Sequence, residues 1–189
     1  DPARIRVVYP GRDARFAPLA RDVARASVAQ RFGLRDPYIL HVGTLEPRKN
    51  LVHLLRCFHR LLRQEKPAAL RLVLVGPTGW KTDPVFALLQ EHSDLRARVV
   101  LAGYVPDADL AALYSGARGF VYPSLYEGFG LPVLEAMQCG TPVISSDSTS
   151  LPEVVGDTGL LVPPADADAL SDALLRLVQQ CGRAGGDGS

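Results

Sequence analysis

A doubly wound α/β fold on a parallel sheet is predicted for this 189-residue chain from three observations. Six short apolar runs recur along it, nearly continuous rather than alternating, as strands buried on both faces require. Amphipathic segments of helical spacing separate them. Strand and helix alternate from residue 38 onward, and repeated strand–helix–strand units with right-handed crossovers generate a parallel sheet.

The elements follow in order. After a polar opening with a turn at YPGRD, RDVARASVAQRF has helical spacing and Gly33 ends it. The strands are read at 38–42 (YILHV), 71–75 (RLVLV), 98–101 (RVVL), 119–122 (GFVY), 142–145 (PVIS) and 159–162 (GLLV). Helices are expected over Leu51–Gln64, Pro84–Glu91, Asp109–Ser115, Pro132–Gln138, Leu151–Val155 and Ala167–Val178. Residues 1–33 read as a linker and leading helix, 34–180 as one domain, and the glycine-rich 181–189 as a flexible tail.

The composition, 47% hydrophobic and 22% charged, suits one globular domain with a real core. A net charge of +1 gives no field strong enough to recruit nucleic acid or an anionic membrane, so neither is expected as a partner. The longest apolar runs, such as LRLVLVG, are far short of a membrane span. Cys57, Cys139 and Cys181 are odd in number and without paired spacing, which points to a reducing compartment, the cytoplasm. The chain opens on Asp1 and Pro2 and has Met137 as its only methionine, so a piece of a longer protein is expected.

In doubly wound sheets ligands bind at the carboxyl ends of the strands. The segments there are GTLEPRKN, GPTGWKT, AGYVPDAD, PSLYEGFG and SSDSTSLPE. In SLYEGFGLPVLEAM, residues 124–137, seven residues separate Glu127 in the loop from Glu135 in the following helix. Gly128 and Gly130 let backbone N–H groups approach a ligand closely, and a helix start favours an anion such as phosphate. Carboxylates beside a phosphate cradle make sense as acceptors for hydroxyl groups, and a nucleotide sugar offers both phosphate and hydroxyls. Singly, each glutamate is equally well explained by the helix macrodipole or by solvation. Arg48 and Lys49, at the start of the next helix, offset a diphosphate's charge or form a solvated basic pair. Asp107 reads as an N-cap.

The runs YILHVGTLEPRKNL, LAGYVPDADLAALYSGARGFVYPSLYEGFGLPVLEAMQCGTPVISSD and SLPEVVGDTGLLVPP resemble the C-terminal, donor-binding half of retaining GT-B glycosyltransferases of family four, the glycosyl transferases group 1. The resemblance covers about residues 36 to 180, and E-x(7)-E is its most specific part. It implies a Rossmann-like half of a GT-B enzyme. By the same resemblance Lys49 and a neighbouring arginine hold the donor diphosphate, Glu135 accepts from the ribose hydroxyls, and Glu127 contacts the transferred sugar. Backbone groups of Phe129, Gly130 and Leu131 approach the phosphate and sugar, and Gly103, Tyr104 and Val105 border the base. Many relatives carry an arginine directly after the glycine that ends the first strand; here Thr44 follows Gly43, and Arg48 is the substitute expected. The acceptor-binding N-terminal half of the relatives is expected as a missing partner.

Several other motifs are set aside. PDADL and PADADAL contain D-x-D, but both precede apolar helical periodicity and read as caps. GPTGWKT has the wrong spacing for a P-loop, and GFGLPV has Val133 where a dinucleotide fingerprint needs its third glycine. His53 and Cys57 lack a second ligand pair, His59 lies off their face, and His41, Trp80 and Tyr104 read as core or core-edge residues. No metal or cofactor is expected.

The resulting expectation is the donor-binding domain of a retaining, metal-independent glycosyltransferase. It moves a hexose, with a lean to mannose, from a GDP- or UDP-sugar to a hydroxyl of a glycan, a lipid-linked sugar or a small molecule. Its place is the cytoplasm, or the inner membrane face through the full-length enzyme. Alone, the fragment is expected to be inactive. The rivals are a non-catalytic nucleotide-sugar-binding module and a two-carboxylate glycoside hydrolase.

Overall fold

The computed structural model describes residues 4, 6–65, 67 and 69–183, with side chains as far as Gln179. Helix α1 (Arg21–Phe32) precedes β1 (Tyr38–Val42), a 3-10 turn (Pro47–Lys49), α2 (Leu51–Glu65), β2 (Arg71–Val75), α3 (Asp83–Glu91), α4 (Ser93–Arg96) and β3 (Val99–Gly103). Then come α5 (Asp107–Gly116), β4 (Gly119–Tyr122), α6 (Leu131–Gln138), β5 (Val143–Ser146), α7 (Leu151–Val155), β6 (Leu160–Val162) and α8 (Ala167–Arg183). The strands form one six-stranded sheet in the order β3-β2-β1-β4-β5-β6, and every neighbouring pair is parallel. This is the doubly wound, Rossmann-like order, and its strand sequence reverses between β1 and β4.

Period-two side-chain alternation in the inner strands feeds two cores. Ile39, Leu72, Leu74, Val121 and Ile144 face α2, α3 and α8, where they meet Leu54, Phe58, Leu89 and Leu174. Tyr38, Leu40, Val73, Phe120 and Tyr122 face the other way, towards Leu113, Tyr114, Val133 and Ala136. Phe16 and Val28, from the segment read as linker and leading helix, belong to this second core. Gly33 ends α1 in the left-handed region at φ 66°, its N–H donating to Ala29 O at 3.1 Å.

The structure amends some expected boundaries. β3 runs to Gly103 as a partly exposed edge strand, and the four-residue α4 was not foreseen because it carries no periodic apolar face. Asp107 is not the N-cap of α5. Pro106 holds that position in extended conformation, and Asp107 is the first helical residue, its carboxylate 2.8 Å from Arg15. Asp166 does cap α8, accepting from the N–H groups of Asp168 and Ala169 at 3.0 and 2.9 Å. α8 continues to Arg183, past the expected end at Val178; the rest of the expected tail lies outside the described residues. Cys57 and Cys139 are free and buried; the Cys181 side chain is outside the described residues. No described helix is long and apolar enough to cross a membrane.

Candidate functional site

The reversal of strand order opens a crevice between the connections leaving β1 and β4. Residues 43–50 leave one strand and 123–130 the other, and three hydrogen bonds join them to each other and to the segment before α8. Leu125 N–H donates to Arg48 O at 2.7 Å, and Asn50 Nδ2 donates to Pro123 O at 3.2 Å and Pro164 O at 2.8 Å. Asn50 itself closes the 3-10 turn at φ 57°, which suits asparagine. The helix therefore starts at Leu51, as its apolar period predicts, and Arg48 and Lys49 lie in the turn before it rather than at its start.

This turn directs Lys49 inward, leaving it 4% exposed. Its ammonium donates to Glu127 Oε1 at 2.7 Å and to the Tyr122 hydroxyl, 4.6 Å from the Tyr122 ring centroid. A side chain at position 43 would bring a Cβ within 3.1 Å of Lys49 Cε, so Gly43 makes room for the lysine. Arg48 donates to the other Glu127 oxygen at 2.6 Å, and its Nε lies 2.6 Å from Glu46 Oε1. Glu127 is only 7% exposed, and both of its oxygens carry an ion pair.

The electrostatics follow from this packing. Burial pushes the Glu127 carboxyl up, but hydrogen bonds and charge from Lys49 and Arg48 outweigh it and hold the group below its ordinary value. Burial lowers Lys49, and Glu127 only partly offsets this. For Arg48 the carboxylates of Glu127 and Glu46 outweigh burial and raise it. Arg48 and Lys49, read from the sequence as cations awaiting a phosphate, are thus already paired with Glu46 and Glu127.

Under this cluster His41 is fully buried, with its Nδ1 donating to Val121 O at 2.9 Å and its ring stacked on Tyr122 at 5.5 Å. Burial pushes it down to about 4. Its Nε2 has no partner among the described residues.

The loop 127–130 is fastened by the segment after β5. Thr149 Oγ1 accepts from Glu127 N–H at 3.0 Å, and Ser150 Oγ donates to the carbonyls of Glu127 and Phe129 at 3.0 and 2.9 Å. Gly130 sits at φ 108° as the N-cap of α6, against Leu151, and no side chain caps the helix. Leu131 N–H, the first of α6, therefore has neither an intrahelical acceptor nor a capping side chain; Pro132 has no N–H, and those of Val133 and Leu134 donate to Gly130 O at 2.9 and 3.3 Å. Gly128 has open space where a Cβ would be.

Glu135 lies in the second turn of α6, half-buried, in different surroundings. Tyr114 donates its hydroxyl to Glu135 Oε2 at 2.8 Å. Burial raises the Glu135 carboxyl; the tyrosine opposes this, and the negative charges of Asp107 and Asp13 add to it. Between β3 and α5, Gly103 turns at φ 65°, Tyr104 is 74% exposed and Val105 is buried in the core, so Val105 can offer a ligand only its backbone. Thr44 packs its methyl against Gly79, and the Trp80 indole N–H donates to Glu46 at 3.3 Å.

Glu127, Arg48, Lys49 and Gly43 are thus brought into one cluster, while Glu135 keeps company with α5. Sequence reasoning missed Glu46, Tyr122, Thr149 and Ser150. Their signal was position: each lies at or just beyond the carboxyl end of β1, β4 or β5.

Comparison with known proteins agrees with this architecture. The model of the family described as glycosyl transferases group 1 matches residues 36–180. O-antigen chain mannosyltransferase B of Escherichia coli is 51% identical over 153 residues, which is 80% of this chain and 40% of that protein. D-inositol 3-phosphate glycosyltransferase of Rhodococcus opacus (strain B4) is 37% identical over 190 residues, 97% of this chain and 42% of that protein. The chain thus spans about two fifths of the length of these relatives. Sucrose-phosphate synthase from Thermosynechococcus elongatus superposes with a TM-score of 0.71 at 34% identity, over 87% of this chain and 41% of that one. Anabaena Alr3699/HepE, solved in complex with UDP-glucose, shares the fold with a TM-score of 0.78 at 23% identity, over 94% of this chain and 48% of that one. With the sheet order, the two-loop crevice and this match in hand, the chain belongs to the glycosyl transferases group 1 family, as a C-terminal domain of the GT-B type.

Proposed function

We propose that this domain binds the nucleotide-sugar donor of a retaining, metal-independent glycosyltransferase that moves a hexose to an acceptor hydroxyl. The observation that carries the reading is the buried Lys49–Glu127–Arg48 cluster at the point where the strand order reverses. The incoming diphosphate competes with Glu127 for the two cations. Its charge is taken up by Arg48, Lys49 and the uncapped start of α6, and a Glu127 oxygen turns to a hydroxyl of the sugar. Glu135 accepts from the ribose, with Gly103 to Val105 beside the base. The acceptor hydroxyl then attacks on the face from which the diphosphate leaves, through an oxocarbenium-like state. Cations placed where leaving-group charge develops supply the main stabilisation.

Mannose from GDP-mannose is the donor we favour, because the relative that is 51% identical is an O-antigen chain mannosyltransferase. A glycan or lipid-linked sugar is the matching acceptor, held by a second domain, at the cytoplasmic side where nucleotide sugars are made. The glycoside hydrolase alternative fares poorly: with both oxygens in ion pairs, Glu127 is neither a free nucleophile nor a protonated acid.

Calorimetric titration with GDP, UDP and ADP and their sugars, without metal, tests the reading. One nucleotide is expected to bind, and Glu135→Ala is expected to weaken it about tenfold, the loss of roughly one charge-assisted hydrogen bond. Absence of binding both by this chain and by the full-length protein that carries it overturns the proposal. Binding without sugar transfer by the full-length protein would leave a non-catalytic module.

A further inference from the structure

On the outer layer of helices, away from both loops of the crevice, two imidazoles and a carboxylate converge. His59 projects from α2, His92 joins α3 to α4, and Asp94 lies in α4; one ligand atom from each falls within 4.8 Å of the others. His59 Nε2 is 2.8 Å from Asp94 Oδ2, and the two imidazole rings are 4.6 Å apart at 41°. We propose that His59, His92 and Asp94 form a binding site for a divalent late first-row metal ion of the zinc class, which fastens α2 to the α3–α4 turn.

The donor set suits such an ion. Two imidazole nitrogens and one carboxylate oxygen, each about 2.0–2.2 Å from a tetrahedral zinc, stand about 3.3 Å from one another. The His59–Asp94 pair must open by a few tenths of an ångström, and His92 must close in by a rotation of its side chain. Magnesium and calcium prefer all-oxygen sets and fit poorly.

The backbone already holds the three positions. Phe58, beside His59, and Leu95, beside Asp94, are fully buried, and Leu89 packs in the same core. The His92 backbone is tied at both ends: its N–H donates to Leu88 O at 3.2 Å and its carbonyl accepts from Arg96 N–H at 2.9 Å. Exposure rises from 13% at the His59 side chain through 34% at His92 to 64% at Asp94, so an ion enters from the Asp94 side and keeps a water in its fourth position.

The surrounding charges are mixed. Glu91 Oε1 lies 3.9 Å from His92 Nε2 and favours a cation. Arg56 and Arg63 on α2 and Arg98 beside Asp94 oppose it, while Arg60 is committed to Asp168. The other histidine–cysteine neighbours, His53 and Cys57 at 4.0 Å, have no third ligand among the described residues. The sequence reading set His59 aside because it lies off their face; its partners come instead from another helix.

None of the three ligands lies in the crevice loops, so metal and nucleotide are expected to bind independently. A chelator that lowered stability would then mimic the loss of a catalytic metal without touching the donor site. The test is calorimetric titration of the chelator-treated chain with zinc sulfate, with thermal unfolding in parallel. One zinc per chain is expected, with a dissociation constant in the micromolar range and a raised midpoint, because a ligand of the folded state alone stabilises it. His59→Gln and His92→Gln are each expected to weaken zinc by about a hundredfold, and Asp94→Asn by about tenfold, with nucleotide affinity unchanged. The cobalt(II) form should lack thiolate-to-metal charge transfer, which separates this site from one at Cys57. Two results overturn the proposal: no zinc binding up to about 1 mM, or zinc affinity retained in the His59→Gln/His92→Gln double variant.

Discussion

The loop that follows β4 and the helix that follows the loop each carry one glutamate, and the two are treated in opposite ways. Glu127 is buried, with both oxygens taken by cations, and its carboxyl is held below the ordinary value. Glu135 is half-buried and accepts from a tyrosine hydroxyl, and its carboxyl is raised. The difference arises from what lies beside each. The β4 loop faces the β1 turn across the reversal of strand order, where Arg48 and Lys49 emerge, whereas α6 faces α5 and its acidic first turn. One carboxylate is thereby a brace for two cations, and the other keeps acceptor capacity for a ligand.

Removing the brace should have the largest effect. Glu127→Gln leaves the Lys49 ammonium buried without a counter-charge, and breaking a buried pair from one side costs about 3–5 kcal/mol. Urea denaturation should show this loss, and Glu127→Leu combined with Lys49→Met should recover much of it, since an apolar pair needs no desolvated charge. A loss below about 1 kcal/mol, the ordinary worth of a surface pair, would erase the contrast between the two glutamates.

That contrast was only half legible in the sequence. Element type was readable because the apolar periods of strand and helix are local, and most boundaries fell within a residue or two. Strand order was not local. Near-continuous apolar strands announce a parallel sheet without saying that β1 lies beside β4, so the pairing of Lys49 with Glu127, 78 residues apart, left no trace in either loop. Asp107 misled for a similar reason: Pro106 took the capping position, and the carboxylate reached Arg15, 92 residues away. The E-x(7)-E motif marked both glutamates, while Tyr122 and His41 looked like ordinary strand residues.

Acid should separate the two halves next. His41 drops from 6.5 to about 4 in the fold, so the unfolded chain binds the proton more readily between those values and stability falls as pH falls through that window. The slope reaches at most about 1.4 kcal/mol per pH unit, and the whole window amounts to about 3 kcal/mol. Glu127, held below 4.5, adds its loss at lower pH still, as the carboxylate protonates. Glu135 runs the other way: raised above 4.5, its contribution is present in acid and lost as pH rises. His41→Phe keeps a ring on Tyr122 without the titration, and denaturation at a series of pH values should show its profile flattened between pH 6.5 and 4. An unchanged profile would move the acid sensitivity away from this half.

The smallest change probes the Glu135 side alone. Tyr114→Phe keeps the ring against Phe16 and Phe120, at 5.9 and 5.5 Å, and removes only the hydroxyl that Glu135 accepts. The cost to stability should be about 1 kcal/mol, one hydrogen bond to a carboxylate that solvent partly reaches. The Glu135 carboxyl should rise further, because the tyrosine is the larger of the two influences, with Arg15, that oppose its burial. Nucleotide affinity should change by less than about twofold, since the freed oxygen is one more acceptor for a ribose hydroxyl. If Tyr114→Phe instead weakens the nucleotide as much as Glu135→Ala does, the hydroxyl sets the orientation of the carboxylate, and Glu135 depends on its neighbour as closely as Lys49 depends on Glu127.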